Sequence, residues 1–366
     1  MKLTEDFRDP ELARSLVESI NRKATGDIRL MEFCGSHTAA IFKYGIRQLV
    51  PQTVEMLSGP GCPVCVTDTI DIDRAIAIAR LPDVILCTFG DMLKVPGTSG
   101  SLQQAKAEGS DVRIVYSTID ALEIARLNPE RNVIFLGVGF ETTAPTIAAS
   151  VLQAEADGIN NYNVLSLAKL CPPIMKALLD AGEVDMDGII CPGHVSAIIG
   201  SKPYRFIPRD YGIACVVSGF EPLDILQAID MLISQVEKGK PRVEIAYRRG
   251  VSPEGNVNAM GIMKQVFDIS LARWRGVGEV AGSGLKLSDK YRQFDAELNF
   301  PVEIAAGREP EGCLCGQVLR GIRKPTDCKL FRRVCTPEQP VGPCMVSYEG
   351  ACSTYFPVFL SMCGLS

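Results

Sequence analysis

Short apolar runs that alternate with helical patterns are the feature that most constrains the fold of this chain. Eight such runs are bounded by Gly, Pro or Asp. They span residues 28–33, 54–57, 84–87, 112–116, 133–136, 164–167, 188–191 and 213–217. This alternation is typical of doubly wound α/β proteins, in which crossover helices join parallel strands. We therefore predict an α/β fold with two doubly wound parallel-sheet domains.

The chain is divided here into three regions. We predict an N-terminal α/β domain over residues 1–125, a second α/β domain over residues 126–245 and a third region over residues 246–366. Cys34-Gly-Ser-His37 and Cys191-Pro-Gly-His194 both follow predicted strands and contain the only two histidines. This short internal sequence similarity favours related topology in the first two domains. The third region begins Gly-rich and becomes Cys-rich and poor in strands after Gly312.

Composition excludes several functional classes. With 46% hydrophobic and 22% charged residues and a net charge of −5, the chain is typical of a globular protein without a nucleic-acid partner. The charged N-terminus and the lack of an 18-residue apolar stretch predict a cytoplasmic protein without a membrane partner. In that reducing compartment, the 14 cysteines favour metal or redox chemistry over a disulfide framework.

Six cysteines lie between residues 313 and 352, in a segment rich in Gly and Pro. Thiolates are the ligands of iron–sulfur clusters and of structural zinc. The spacing matches neither a zinc ribbon nor a bacterial ferredoxin, so inert thiols and zinc stay open as alternatives. We predict a 4Fe-4S cluster in an iron–sulfur cluster domain. Its predicted ligands are Cys313, Cys328, Cys335 and Cys352, with Cys315 and Cys344 as alternates.

A second group of cysteines lies in loops near the N-terminus. Cys62-Pro-Val-Cys65 can close a disulfide, bind a soft metal or alternate between the two, although buried structural thiols fit the same pattern. Cys34 precedes a predicted helix over residues 38–44, whose dipole favours a thiolate. Three thiolates without a fourth protein ligand resemble an open iron site, and an open site implies transfer of the metal.

Polar side chains after other strands complete the predicted site. His37 can tune the Cys34 thiolate, although a structural histidine is the competing interpretation. Asp91, Glu141 and Glu221 can orient His37 or His194, or can be solvated and helix-capping groups. We count Asp91 and His194, with His37 and the three cysteines, among the candidate catalytic residues.

Several long motifs in this chain resemble the HypD family of NiFe-hydrogenase maturation proteins, over residues 28–355. One departure is Ala40, where many members carry a second histidine, and another is Ser36 in place of threonine. The motifs are Cys34-Gly-Ser-His-Thr38, Tyr44-Gly-Ile-Arg47, Gly59-Pro-Gly-Cys-Pro-Val-Cys65, Phe89-Gly-Asp-Met92, Gly139-Phe-Glu-Thr-Thr-Ala-Pro145, Cys191-Pro-Gly-His-Val195 and Cys344-Met-Val-Ser-Tyr-Glu-Gly-Ala-Cys352.

The resemblance implies a scaffold that works with HypC to assemble an Fe(CN)2CO group on Fe(II), with cyanide from HypE and delivery to the hydrogenase large subunit. It implies that Cys34 is the iron-site cysteine, that Cys62 and Cys65 are paired thiols, and that a 4Fe-4S cluster passes electrons to them. A cluster-dependent thiol–disulfide oxidoreductase and a non-catalytic docking platform are the alternatives.

Overall fold

The computed structural model describes residues 5–98 and 100–362 and contains two parallel sheets and one β-hairpin. All eight apolar runs form strands, which confirms the predicted α/β class. The strands are β1 Ile28–Glu32, β2 Val54–Ser58, β3 Val84–Thr88, β4 Asp111–Ile114, β5 Asn132–Gly139, β6 Tyr162–Ala168, β7 Gly188–Pro192, β8 Ala214–Ser218, β9 Val243–Ile245, β10 Phe267–Trp274 and β11 Gly278–Leu287.

Helices cover both faces of the two sheets, which explains why β3, β7 and β8 are buried along their whole length and are apolar except for Thr88 and Ser218 at the ends of β3 and β8. The helices are α1 Pro10–Lys23, α2 Gly35–Lys43, α3 Ile46–Leu49, α4 Pro63–Val66, α5 Thr69–Ala79, α6 Leu102–Ala107, α7 Thr118–Leu127, α8 Ala144–Ala156, α9 Cys171–Ala181, α10 Gly193–Ile199, α11 Phe206–Tyr211, α12 Pro222–Glu237, α13 Val257–Val266, α14 Ala296–Asn299, α15 Cys315–Leu319 and α16 Ala351–Met362.

The two sheets have the same winding. One sheet has the order β2-β1-β7-β8-β9 and the other has the order β4-β3-β5-β6. In each sheet, the strand that comes second in sequence lies at one edge and the strand that comes first lies next to it. The later strands then follow in sequence order toward the opposite edge. This agreement confirms the predicted related topology. Ligands of such sheets bind where the direction of winding reverses, here between β1 and β7 and between β3 and β5.

The sheets do not follow the predicted division at residue 125. That boundary falls between β4 and β5, which both pair with β3 in the four-stranded sheet. The chain leaves the five-stranded sheet after β2, builds the whole four-stranded sheet and then returns as β7 beside β1. Our division assumed that consecutive strands share a sheet. Whether the three predicted regions fold as separate domains stays a prediction.

The last third of the chain packs against elements of both sheets. The antiparallel hairpin β10–β11 packs on β6, where the Ser166 hydroxyl donates to the Leu285 carbonyl oxygen at 2.6 Å. Helix α16 packs on α2, next to the loop that carries Cys34. None of the helices in the described residues is both long and apolar enough to cross a bilayer.

Candidate functional site

Cys34 lies at the reversal point of the five-stranded sheet, directly after β1 and at the N-cap of α2. Its side chain is fully buried. The loop that leads to Cys62 lies against its backbone, because the Gly35 N–H donates to the Gly61 carbonyl oxygen at 3.1 Å. A Cβ atom on Gly61 would lie 2.2 Å from the Cys34 nitrogen. Only glycine at this position allows the two cysteine loops to approach so closely.

His194 reaches Cys34 from the neighbouring strand. It follows β7, which pairs with β1, and its Nδ1 atom lies 3.6 Å from the Cys34 sulfur. The Phe220 ring contacts both imidazoles, with centroid distances of 4.8 Å to His37 and 5.3 Å to His194. The two Cys-x-x-His segments, which are 157 residues apart in sequence, therefore meet at one site.

Burial keeps the groups at this site neutral. It lowers the pKa of His194 to about 4 and the pKa of His37 to about 3. His37 Nε2 lies 2.9 Å from the Gly219 carbonyl oxygen, and its Nδ1 atom is buried without a hydrogen-bond partner. Burial also raises the pKa of Cys34, so desolvation outweighs the helix dipole that we expected to favour a thiolate. A bound cation would reverse this balance, because metals displace thiol protons.

Cys62, the N-cap of α4, and Cys65, inside that helix, form a disulfide with 5.3 Å between their Cα atoms. Both are buried, at 3% and 0% exposure. The Cys65 sulfur lies 3.9 Å from the carbonyl oxygen of Pro343, the residue before Cys344. The disulfide is therefore enclosed between the Cys34 loop and the C-terminal cysteine segment.

Two acidic residues at this site, Glu32 and Glu349, were not predicted from the sequence. Glu32 is fully buried, accepts a 2.6 Å hydrogen bond from the Thr38 hydroxyl, and has its pKa raised to about 8 by burial. Glu349 accepts a hydrogen bond from the Ser36 hydroxyl, and burial and the nearby Asp91 charge raise its pKa. An acidic residue inside an apolar strand, directly before the cysteine loop, was the available signal for Glu32.

The other predicted carboxylates do not contact a histidine in the contacts that the described residues show. Glu141 follows β5, is buried, and accepts the backbone N–H of Cys171 at 2.8 Å. Burial raises its pKa to about 7. Glu221 caps α12 and pairs with Arg8 at 2.5 Å. These contacts agree with the helix-capping alternative, whereas Asp91 lies near Glu349 at the edge of the site.

The C-terminal cysteines approach one another in a chain of sulfur contacts. The Cys315 thiol contacts those of Cys313 and Cys344, and these contacts lower its pKa. Cys344 in turn contacts Cys352. Cys335 accepts the Val341 N–H at 3.3 Å.

The chemistry of this donor set fits an iron–sulfur cluster, because several thiols lie together on short helices and turns. Among residues 5–98 and 100–362, no three His, Cys, Asp or Glu side chains are arranged to hold a single metal ion. The choice of four ligands, including Cys328 and Cys335, stays a prediction.

Comparison with known proteins identifies the family. The chain matches a family model labelled HypD and described as the hydrogenase formation hypA family, over residues 11–358. The chain belongs to this family. It is 46% identical to hydrogenase maturation factor HypD2 of Bradyrhizobium diazoefficiens, over 97% of this chain and 96% of that protein. The HypD factors of Cupriavidus necator and Escherichia coli K12 are 45% and 43% identical over 97% of this chain, covering 97% and 98% of their own lengths. This HypD-family chain is therefore a hydrogenase maturation factor, as its motifs predicted.

Proposed function

We propose that this protein is the scaffold on which a single Fe(II) receives two cyanide ligands and one carbonyl ligand before transfer to the large subunit of a NiFe-hydrogenase. HypC is the proposed partner that shares the iron, and HypE is the proposed donor of cyanide. The observation that carries the proposal is the 3.6 Å approach of His194 Nδ1 to the sulfur of the buried Cys34. The cytoplasm, where thiols stay reduced, is the proposed location.

Cys34, Cys62 and Cys65 are the proposed iron ligands. Soft thiolates suit iron that carries cyanide and carbonyl, and three protein ligands leave positions free for these groups. The neutral His194 accepts a hydrogen bond from the Cys34 thiol until iron displaces the proton. Because burial raises the pKa of the Cys34 thiol, this thiol stays protonated and inert when no iron is present.

The Cys62–Cys65 disulfide must open before its sulfurs can bind iron. Opening takes two electrons and two protons, breaks the S–S bond and forms two S–H bonds. A 4Fe-4S cluster held by the C-terminal cysteines would supply these electrons one at a time. The contact between the Cys65 sulfur and the Pro343 carbonyl, one residue before Cys344, gives a short route for them.

Infrared spectroscopy of the cyanide and carbonyl stretching region tests the scaffold. The sample is the anaerobic protein with its HypC partner, as wild type, Cys34→Ala and Cys87→Ala. Cys87 is a matched control, because it is equally buried but lies on β3 in the other sheet. Bands in the wild type and Cys87→Ala, but not in Cys34→Ala, would support the proposal. Bands that survive in Cys34→Ala would refute the role of Cys34 and favour a docking platform.

Serine variants test which cysteines hold the cluster. We expect Cys328→Ser to lose iron and sulfide on anaerobic purification, and Cys344→Ser to retain them, if the predicted ligand set is correct. The opposite result would favour the sulfur contact chain of Cys313, Cys315, Cys344 and Cys352 as the ligand set. Iron and sulfide analysis with visible absorption measures the outcome.

The Cys62–Cys65 disulfide also favours a second candidate, a cluster-dependent thiol–disulfide oxidoreductase. This function predicts reduction of disulfide substrates without added iron. The burial of both sulfurs counts against it, because a protein disulfide cannot reach them in this conformation. Turnover of a disulfide substrate by iron-free wild type, abolished in Cys62→Ser, would establish it instead.

A further inference from the structure

Arg275 lies in the turn between β10 and β11, and its side chain is completely buried. Its guanidinium connects three separate segments of the chain. Nε donates to the Thr67 carbonyl oxygen at 2.9 Å, one terminal nitrogen donates to the Pro96 carbonyl oxygen at 3.2 Å, and the other pairs with Glu309 at 3.2 Å. A buried guanidinium with all of these partners is held in a single position.

The same turn holds the end of the disulfide helix. The Arg275 backbone N–H donates to the Val66 carbonyl oxygen at 3.0 Å, and Trp274 forms a β-bridge with Thr67. Val66 and Thr67 directly follow Cys65. The turn therefore fixes the helix that carries both sulfurs of the disulfide.

The other side of the turn contacts the C-terminal cysteines. Gly276 has a φ of +76°, and a Cβ atom on it would lie 2.2 Å from the Cα of Gly316, which follows Cys315. One turn thus contacts the residues that follow Cys65 and the residue that follows Cys315.

We propose that Arg275 is a positioning residue that sets the alignment between the C-terminal cysteine segment and the Cys62–Cys65 disulfide for electron transfer. This inference rests on the function proposed above. Arg275 holds the turn that contacts the residues next to Cys65 and Cys315, and it thereby fixes the position of one cysteine group relative to the other. Reduction of the disulfide takes two electrons and two protons, breaks the S–S bond and forms two thiols; an external one-electron reductant such as dithionite would supply the electrons, and a cluster held by the C-terminal cysteines would pass them on one at a time.

Measuring the rate of disulfide reduction by two routes in the same variants distinguishes a positioning role of Arg275 from a general effect on stability. Dithionite reduces the disulfide by way of the cluster, and a small dithiol such as dithiothreitol attacks the disulfide directly. Thiol alkylation and mass spectrometry of the peptide that contains Cys62 and Cys65 give both rates. The variants are Arg275→Met, Arg275→Lys and the control Arg273→Met, whose side chain is 40% exposed on the same hairpin.

We expect Arg275→Met to slow the dithionite route by about tenfold or more, which corresponds to a barrier higher by ~1.4 kcal/mol, and to leave the dithiol rate unchanged. Arg273→Met should match the wild type in both rates. Arg275→Lys, which keeps the charge but cannot reach all three partners, should lie between them. If Arg275→Met does not fold, a wild-type rate in Arg275→Lys alone overturns the inference.

Three results are distinguishable. Equal dithionite rates in the wild type and Arg275→Met would overturn the role of Arg275. Equal losses on both routes would also overturn it, because they would show a general disruption of the disulfide helix. Failure of dithionite to reduce the disulfide in cluster-loaded wild type would instead overturn the proposed electron route, and with it the premise of the inference.

Discussion

Glu32 offers a test of the buried site through the pH dependence of stability. Its carboxyl is fully buried beside Cys34, and burial raises its pKa to about 8 from an ordinary value near 4.5. Between these values the unfolded chain has released the proton and the folded protein still holds it. Folding stability contributed by this residue therefore falls as pH rises from about 4.5 to about 8, and it is constant outside that range.

The expected magnitude follows from the linkage relation. Each pH unit in this range lowers the free energy of unfolding by ~1.4 kcal/mol. The free energy of unfolding is therefore lower at pH 7 than at pH 5 by about 3 kcal/mol. Glu32→Gln keeps the shape and an acceptor for the Thr38 hydroxyl but does not titrate. We expect the unfolding free energy of the variant, relative to wild type, to rise by about this amount between pH 5 and pH 7.

Urea unfolding at each pH measures the difference, and the fluorescence of Trp274 reports it because this buried residue is the only tryptophan. Glu123→Gln makes the same substitution at a side chain that is 52% exposed on α7, and it is the control for the substitution itself. The reasoning would be refuted if wild type and Glu32→Gln differed by the same amount at pH 5 and pH 7. That result would mean that Glu32 is ionised in the folded protein.

Two further predictions concern packing. Gly276→Ala should destabilise the protein by more than Gly278→Ala, because both glycines have positive φ but only Gly276 lies against Gly316. Similar urea midpoints for the two variants would contradict this close contact. Arg249→Met should lower the free energy of unfolding by about 3 kcal/mol, because it leaves the buried Asp224 carboxylate without the guanidinium that contacts it at 2.5 Å. Rescue of thermal stability in the double variant Arg249→Met, Asp224→Asn is expected, and its absence would contradict the paired role.

The sequence allowed accurate prediction of local structure. Strands covered on both faces must be apolar throughout, so the runs around Ile85 and Val216 are recognisable without any tertiary information. The half-exposed strand β10 was not predicted, because Ile269 and Leu271 face outward on a two-stranded ribbon, at 69% and 52% exposure. When apolar residues lie on both faces of a strand, the sequence pattern does not show which face of the strand is buried.

The site was predictable in its parts but not in its assembly. Cys34 and His194 were each recognised because each follows a strand, where chemistry collects in parallel sheets. Their contact depends on β1 pairing with β7, and a strand pattern does not encode which strands are neighbours. Glu32 was missed because burial, rather than residue type, gives this carboxyl its unusual pKa.

The interrupted five-stranded sheet has a consequence for synthesis on the ribosome. β1 and β2 emerge first, but β1 must wait for β7, whose first residue is 156 positions beyond the end of β1. The four-stranded sheet can form in the meantime from consecutive chain. Cys34 therefore has no His194 beside it until more than half of the chain has been made. Iron offered to a nascent chain would meet an incomplete site, so loading is expected to be post-translational.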